Sequence, residues 1–275
     1  MNQLEWHGEK EFTVNGVKFL CALNDESLKT NDERFVLLKD RGSLESYAEV
    51  FSNTQPRTVL EFGIFQGGSP TLFSLWWDLE KFVGVDLCPP VVAFDEFCRG
   101  HPAGQRIRAH YGVSQTDKAR IDRIILDEFG DSPLDVVIDD ASHLYGNTRR
   151  TFEIAFPHLR PGGTYVIEDW GWAHWPGRQY FAGEAPMSAL IMELIMSCAS
   201  RSDAIGEVRV FGAFVFIRKG TRMPALTNMS LDSLYSKRDI EIVTSESGDF
   251  LSVARLFARK VAARARTRAR QWLKR

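Results

Sequence analysis

Two apolar runs in this sequence each end in a pair of acidic residues, and a histidine follows the first pair. The acids are Asp139, Asp140, Glu168 and Asp169. A strand that is buried on both faces of a parallel sheet has a continuous Val/Ile run of this kind, and open α/β sheets bind ligands at the carboxyl ends of such strands. We therefore expect the four acids to meet at one rim of a sheet, with His143 beside them.

This cluster of acids predicts a metal site. Carboxylates that are brought together repel one another unless a cation joins them, and hard divalent cations prefer oxygen ligands. An imidazole accepts a proton near neutral pH, so His143 is a candidate base. Either Asp139 or Asp140 is the metal ligand, and the other orients neighbouring groups. The structural alternatives are that His143 starts the following helix and that the second acidic pair is a solvated strand end.

A glycine-rich turn joins a short apolar strand to a helix further upstream. Its glycines are Gly63, Gly67 and Gly68, and glycine lets the backbone approach a ligand closely. The spacing is not that of a dinucleotide site, because Phe65 stands where Gly-x-Gly-x-x-Gly has its second glycine. Asp86 ends the next strand, 23 residues past Gly63, where an acid can bind ribose hydroxyls. The combination favours a ligand with a ribose over a turn that binds nothing.

Apolar strands alternate with helices along most of the chain. The sequence predicts strands at 58–62, 82–86, 105–110, 134–139, 164–168, 207–210 and 213–218. It predicts helices at 42–54, 68–79, 89–99, 121–129, 147–157 and 186–200. This alternation is typical of an α/β fold with a doubly wound, mostly parallel, seven-stranded Rossmann-like sheet and an antiparallel C-terminal hairpin. A separate hairpin is predicted at 11–20, with its turn at Asn15-Gly16.

The composition excludes several classes of protein. The chain has 275 residues, of which 44% are hydrophobic and 25% charged, as in ordinary soluble proteins. No apolar run reaches the roughly 20 residues of a membrane span, and no signal-peptide pattern opens the sequence. The four cysteines show no framework or metal-binding spacing, so we expect a cytoplasmic protein with reduced thiols.

Charge is distributed unevenly along the chain. Residues 251–275 hold nine Lys/Arg and no Asp/Glu, which leaves 25 basic and 36 acidic residues elsewhere. The acidic body argues against a nucleic-acid partner. The Ala-rich tail permits a basic amphipathic helix that contacts the inner membrane surface peripherally, and the alternative is a solvated helix. The apolar segment Pro186–Ser200 favours core packing first and a subunit interface second, and we expect a homo-oligomer.

The motifs together resemble a known family. Glu61–Gly67 followed by Asp86 resembles the cofactor site of class I S-adenosylmethionine-dependent methyltransferases. With Ile138–His143 and Pro161–Asp169, the set is similar to the metal-dependent sugar O-methyltransferases of macrolide pathways and to the cephalosporin hydroxylase family that shares their fold.

The resemblance covers most of the chain and implies its organisation and activity. We expect an N-terminal extension at 1–43, a methyltransferase domain at 44–220 and a C-terminal extension at 221–275. The implied reaction is Mg²⁺-dependent transfer of a methyl group from S-adenosylmethionine to a sugar hydroxyl. The implied acceptor is a glycosylated small molecule, a glycolipid or a polysaccharide.

The resemblance also implies roles for individual residues. Glu61 and Gly63 would lie near the methionine end of the cofactor, and Asp86 would hold its ribose. The further cofactor-binding candidates are Gly67, Ser69 and Asp139, with Ser114, Gln115 and Asp117 in the loop near the adenine. The magnesium ligands would be Asp140, Glu168 and Asp169. His143 would be the catalytic base.

The segment after the second acidic pair departs from the family. Trp170–Gly177 is rich in tryptophan, where relatives often have a small polar and aromatic run, so the acceptor pocket should differ. Indole faces suit sugars or flat rings, and the alternative is that these side chains pack the segment onto the sheet.

Three other functions compete with methyl transfer. A non-heme iron hydroxylase needs two histidines and one carboxylate, whereas His143 is the single histidine near the acids, and the only His-x-acid sequence is His7-Gly-Glu9. A nicotinamide dehydrogenase is disfavoured by the glycine spacing. A cofactor-binding accessory subunit without catalysis remains as an alternative.

Overall fold

The computed structural model describes residues 1–23, 25–175, 185–222 and 229–235. The basic tail lies outside these residues, so its contact with a membrane stays a prediction. Within the described ranges, no helix is long and apolar enough to cross a membrane.

The first part of the chain builds a small four-stranded sheet. Its strands are β1 (Glu5–Trp6), β2 (Glu11–Val14), β3 (Val17–Cys21) and β4 (Phe35–Leu37). β2 and β3 form the predicted hairpin around Asn15 and Gly16, which both have positive φ, and β4 pairs in parallel with β3. β1 and β4 were not predicted, because strands of two and three residues are too short to show a period.

Helices and strands alternate through the rest of the described chain. In order they are α1 (Arg41–Val50), β5 (Thr58–Phe62), α2 (Gly68–Trp76), β6 (Lys81–Asp86), α3 (Val92–Gly100), β7 (Ile107–Tyr111), α4 (Lys118–Phe129), β8 (Leu134–Asp139), α5 (Tyr145–Ala155), β9 (Leu159–Glu168), α6 (Met187–Ser200), β10 (Ile205–Val210) and β11 (Phe214–Lys219). Each helix and strand predicted in this region is present. The largest difference at the start of an element is in β9, which begins at Leu159 rather than at residue 164.

The second sheet has seven strands in the order β10-β11-β9-β8-β5-β6-β7. β5 to β9 run parallel to one another, and β11 runs antiparallel to both β9 and β10. The predicted fold class is confirmed. The strand order reverses between β5 and β8, so the loops after these two strands diverge and leave a crevice between them, which is where such sheets bind ligands.

Alternate residues of the central strands face two hydrophobic layers. Val137 packs in the cluster with α4, α5 and α6, whereas Val136 and Ile138 pack in the cluster with α1, α2, α3 and the N-terminal sheet. Burial on both faces explains the uninterrupted Val/Ile run. α6 buries Leu190 and Leu194 in the first of these clusters, which agrees with the preference for core packing.

The N-terminal sheet packs against α2 and the glycine-rich turn before it. The side chain of Gln66 accepts the N–H of Thr30 at 2.6 Å and donates to the carbonyl of Leu28 at 3.2 Å. A Cβ on Gly68 would lie 2.1 Å from the carbonyl oxygen of Val36, so glycine permits this close approach. The residues that follow β4 are therefore held beside the glycine-rich turn.

Candidate active site

A cavity of about 580 Å³ opens at the carboxyl ends of β5, β6 and β8. Its volume lies within the roughly 300–1,000 Å³ of ligand pockets. The predicted site residues that line it are Gly63, Ser69, Asp86, Ser114, Gln115, Asp140, His143, Glu168 and Asp169. The fold thus brings the glycine-rich turn, the loop after β7 and the acidic cluster to one place.

Asp86 organises the glycine-rich turn. Its Oδ2 accepts the N–H groups of Ile64 and Phe65 at 2.8 and 2.9 Å, and its Oδ1 accepts the N–H of Cys88 at 2.7 Å. An ionised carboxylate has about four lone-pair positions. Asp86 therefore fixes the turn and still has capacity to accept a hydrogen bond from a ligand.

Gly63 lies where this turn passes the acidic cluster. Its φ is +85°, and an added Cβ would lie 2.1 Å from the carbonyl oxygen of Asp140. We expect Gly63→Ala to lower the free energy of unfolding by about 2–4 kcal/mol, because it adds both left-handed strain and a backbone clash. Chemical denaturation measures the loss.

Gly146→Ala is the matched control for this substitution. A Cβ at this position of α5 meets nothing within 4 Å, so the same change should leave stability unaltered or slightly higher. Equal losses in the two variants would contradict the steric argument.

Three residues of the cavity wall lie close together and are called the outer group: Asp140, His143 and Asp169. Nε2 of His143 lies 3.9 Å from Oδ1 of Asp140 and 4.0 Å from Oδ2 of Asp169. His143 and Asp169 have φ values of 53° and 54°, and strain of this kind, about 1–3 kcal/mol each, collects at functional sites. The outer group can hold a cation, or place a base beside one.

Three buried or half-buried acids form a second cluster, the inner group: Glu61, Asp140 and Glu168. Lys39 lies within it, with Nζ 2.7 Å from Oδ2 of Asp140 and 2.5 Å from Oε2 of Glu168. The hydroxyl of Tyr47, on α1, donates to Oε1 of Glu168 at 2.6 Å. Both oxygens of Glu168 are thus bonded to N-terminal residues. The three predicted metal ligands are divided between the groups, with Asp140 belonging to both.

Burial raises the pKa values of two acids of the inner group, Glu61 and Glu168. It raises the pKa of Glu61 well above the usual value, and Lys39 opposes this rise. Burial also raises the pKa of Glu168, with Asp140 adding to the rise and Lys39 and Tyr47 opposing it. Burial alone would lower the pKa of Lys39, but the neighbouring carboxylates raise it. Lys39 is therefore a cation that compensates buried negative charge.

Asp139 lies behind the cavity rather than in its wall. Its Oδ2 accepts the hydroxyl of Tyr165 at 3.1 Å, and its Oδ1 accepts Nε2 of Gln115 at 3.2 Å. Burial raises its pKa to about 7, against the hydrogen bond from Tyr165. Gln115 also accepts the N–H of Ser142 at 3.1 Å, which ties Asp139 to the loop after β8. Of the two aspartates between which the sequence left the choice open, Asp140 lines the cavity, whereas Asp139 lies behind it.

Three other predicted cofactor residues also lie outside the cavity wall. Asp117 is the N-cap of α4, where its Oδ1 accepts the N–H of Arg120 at 3.2 Å. Gly67 is the N-cap of α2, and an added Cβ there would meet the ring of Phe94. Glu61 is fully buried. In the described part of the chain its Oε1 has no hydrogen-bond partner.

The tryptophans after β9 have different surroundings. Trp172 and Trp175 line the cavity, and Trp172 meets the ring of His143 edge-on at a centroid distance of 5.6 Å. Trp170 packs against the core and donates its Nε1 to the carbonyl of Phe211 at 2.8 Å. Packing onto the sheet thus describes Trp170, whereas Trp172 and Trp175 face the cavity. Its last two residues lie outside the described chain.

Lys39 and Tyr47 were not predicted as site residues. Lys39 directly follows the apolar residues Phe35–Leu38, so the signal that identified the acids, a charge after a short apolar run, was present here as well. Tyr47 lies within the helix predicted at 42–54, and nothing local in the sequence identifies the partner of its hydroxyl.

Comparison with known proteins shows which proteins this chain resembles. Residues 60–170 match the family model described as a methyltransferase domain. The matched residues run from β5 to just beyond β9, so they include the glycine-rich turn and both acidic pairs. The mycinamicin VI 2''-O-methyltransferase of Micromonospora griseorubida is 37% identical over 142 residues, which is 49% of this chain and 31% of that protein.

Two further proteins are also similar to this chain. The 8-demethyl-8-(2-methoxy-alpha-L-rhamnosyl)-tetracenomycin-C 3'-O-methyltransferase of Streptomyces olivaceus is 36% identical over 130 residues, 45% of this chain and 30% of that protein. The solved MycE methyltransferase of the mycinamycin biosynthetic pathway, in complex with Mg, SAH and mycinamycin VI, aligns with a TM-score of 0.52 and 28% identity, over 66% of this chain and 51% of that chain. These relatives confirm the resemblance to sugar O-methyltransferases. The chain spans about a third of the curated relatives' length.

Proposed function

We propose that this chain transfers a methyl group from S-adenosylmethionine to a sugar hydroxyl of a glycoside, glycolipid or polysaccharide, in a reaction that uses Mg²⁺. The observation that carries the proposal is the outer group, in which two carboxylates lie 3.9 and 4.0 Å from one histidine. This group shares its cavity with the glycine-rich turn and Asp86. The named acceptors of the relatives, one of them a rhamnosyl compound, support a sugar hydroxyl.

The residues present suit the proposed cofactor. Asp86 stands at the end of β6 with capacity to accept a ribose hydroxyl. Oε1 of Glu61 is buried and has no hydrogen-bond partner among the described residues. Such an atom is costly to leave unpaired, and a donor at the methionine end of the cofactor would satisfy it. Ser114 and Gln115 line the cavity, where the resemblance places the adenine.

The residues present also suit a divalent cation. Asp140 and Asp169 each offer a carboxylate oxygen, and these atoms lie within 4.8 Å of one another and of a nitrogen of His143. Oxygen donors of this kind are what Mg²⁺ prefers. Glu168, the third proposed ligand, bonds Lys39 and Tyr47 instead. Bound Mg²⁺ would acidify the acceptor hydroxyl and fix its direction.

His143 would take the proton from the acceptor. As the new bond forms between the hydroxyl oxygen and the methyl carbon, the carbon–sulfur bond breaks, and its electron pair stays on sulfur to give S-adenosylhomocysteine. The proton of the hydroxyl passes to Nε2 of His143, which faces Asp140 and Asp169. These two carboxylates would stabilise the imidazolium that results.

An iron hydroxylase is the less favoured alternative. Such a site takes two histidines and one carboxylate. Of the described residues that line the cavity, His143 is the only histidine. The carboxylate-rich outer group therefore supports a hard cation over iron.

The remaining proposals concern the whole protein. We retain a methyltransferase domain at 44–220 with extensions on both sides, a homo-oligomeric state, and a cytoplasmic location. These follow from the sequence, as argued above.

The proposed function is tested by binding and transfer together. Calorimetry should show micromolar binding of S-adenosylhomocysteine and none of NAD, because the turn lacks the dinucleotide glycine. With methyl-labelled S-adenosylmethionine, label should appear on a glycosylated macrolide but not on its aglycone, and chelation of Mg²⁺ should stop the transfer. Absence of S-adenosylhomocysteine binding would contradict the proposal.

Asp86 and Asp117 are both predicted cofactor residues, but only Asp86 lines the cavity. Asp86→Asn should weaken S-adenosylhomocysteine binding by about 10- to 100-fold, because a charged acceptor bond is worth roughly 1.5–3 kcal/mol. Asp117→Asn should leave the affinity unchanged, since this residue caps α4 outside the cavity wall. Titration calorimetry measures the affinity of both variants for S-adenosylhomocysteine. Equal losses of affinity would place Asp117 in contact with the cofactor.

A further inference from the structure

The ammonium of Lys39 lies among acids that could otherwise bind a metal ion. Oxygens of Glu61, Asp140 and Glu168 lie within 4.8 Å of one another. Nζ of Lys39 is bonded to two of these three residues, at 2.7 and 2.5 Å. The side chain of Lys39 is 6% exposed and that of Glu168 is 3% exposed. A buried ammonium so placed compensates charge that would otherwise attract a second cation.

The contacts of Glu168 show which oxygens remain for a metal. Its Oε2 accepts a bond from Lys39 and its Oε1 accepts one from Tyr47. Oδ2 of Asp140 is likewise bonded to Lys39, whereas Oδ1 of Asp140 faces His143. The ammonium therefore holds one oxygen of Asp140 and one of Glu168, and Tyr47 holds the other oxygen of Glu168. Oδ1 of Asp140 is left facing the outer group.

The segment that carries Lys39 is held in this position by hydrogen bonds on both sides of it. Thr30 and Leu28 bond the side chain of Gln66 in the glycine-rich turn. Asp40, the next residue, caps α1 by accepting the N–H of Ser43 at 2.8 Å. Lys39 thus lies between two anchored points of the chain, and its contact with the acids is part of the fold.

We propose that Lys39 serves as a built-in cation of the acidic cluster and so weakens the binding of a divalent metal to this chain. The inference rests on the proposed function, because it concerns the metal assigned to the outer group. A fixed positive charge a few ångströms from a divalent cation repels it at any effective dielectric constant of a protein interior. Lys39 also competes with the metal for Glu168. It is a positioning residue for Asp140 and Glu168.

The test is Mn²⁺ binding to the full chain without S-adenosylmethionine, measured by the electron paramagnetic resonance signal of free Mn²⁺. We expect Lys39→Met to lower the dissociation constant for Mn²⁺ by about tenfold or more, because a nearby positive charge is removed while the side-chain volume is nearly kept. An unchanged or higher dissociation constant would overturn the inference.

Lys219→Met is the matched control. Lys219 is also buried, at the end of β11, but its Nζ donates to the carbonyls of Pro157 and Leu159, both at 2.6 Å. It does not line the cavity. The same chemical change there should leave Mn²⁺ affinity as in the wild type. A matching gain in both variants would show that the effect is not local and would overturn the inference.

A second pair of variants keeps the inference testable if Lys39→Met does not fold. Removing one partner of a buried ion pair leaves an uncompensated charge, so Glu168→Gln is compared with Glu168→Gln/Lys39→Met, in which fewer acids need compensation. The double variant should bind Mn²⁺ about tenfold more tightly than the single one. Equal affinities would overturn the inference.

The outcomes distinguish this inference from the proposed function. If the wild type and Lys39→Met both fail to bind Mn²⁺, the metal assignment and the inference fall together. If the wild type binds and Lys39→Met binds no more tightly, only the inference falls. If Lys39→Met binds and the wild type does not, the inference holds and the Mg²⁺ requirement of the proposed function falls.

Discussion

Replacing His143 with asparagine should lower the rate of methyl transfer by about 10²–10⁴-fold, the range expected for loss of a general base. The affinity for S-adenosylhomocysteine should change little. Nε2 of His143 lies 3.9 and 4.0 Å from Asp140 and Asp169, so an acceptor hydroxyl between these residues is within its reach. Asparagine is the suitable replacement, because His143 has a φ of 53° and asparagine tolerates this conformation better than most residues.

Single-turnover rates and a titration with S-adenosylhomocysteine check this expectation. His174→Asn is the control, since Nε2 of His174 bonds Oγ of Ser188 at 2.9 Å and the residue does not line the cavity. It should keep the wild-type rate. If His143→Asn raises only the KM for the acceptor, then the imidazole positions the acceptor beside Trp172 and another group takes the proton.

The carboxyl ends of the parallel strands could be predicted from the sequence for a physical reason. Strands such as β8 are buried on both faces, so apolar residues continue without interruption until the strand leaves the core. The first charged residues then mark the rim. This is why the sequence predicts that Asp140 and Glu168 meet at one edge of the sheet, and both line the cavity.

The burial of each side chain and its hydrogen-bond partners could not be predicted in the same way. Asp117 belongs to the loop after β7, but it caps α4, because a local bond to the helix competes with any ligand contact. Lys39 reaches the acids through the pairing of β3 with β4 and their packing on α2. These are long-range contacts, and no periodicity in a single segment encodes them.

Replacing Asp140 with asparagine should remove the dependence of methyl transfer on Mg²⁺ and lower the rate by about 10²–10³-fold, as is typical when one preorganised electrostatic group is lost. Asp140 is the one acid shared by the outer and inner groups. Its Oδ1 faces His143 and its Oδ2 accepts Lys39. The substitution therefore takes a ligand from the metal and a partner from the ammonium at once. Initial rates across a Mg²⁺ titration measure both effects.

Asp139→Asn is the matched control, because the two aspartates are adjacent in sequence and the same atom is exchanged. Asp139 lies outside the cavity wall and bonds Tyr165 and Gln115, so its loss should cost about 1–2 kcal/mol of stability and keep the Mg²⁺ dependence. Burial raises the pKa of this carboxyl to about 7, so the neutral amide is a mild replacement. If Asp139→Asn loses the Mg²⁺ response and Asp140→Asn keeps it, then Asp139 is the metal ligand and Asp140 is the residue that supports it. Loss in both would instead show that Gln115, which links Asp139 to the loop after β8, transmits the position of one aspartate to the other.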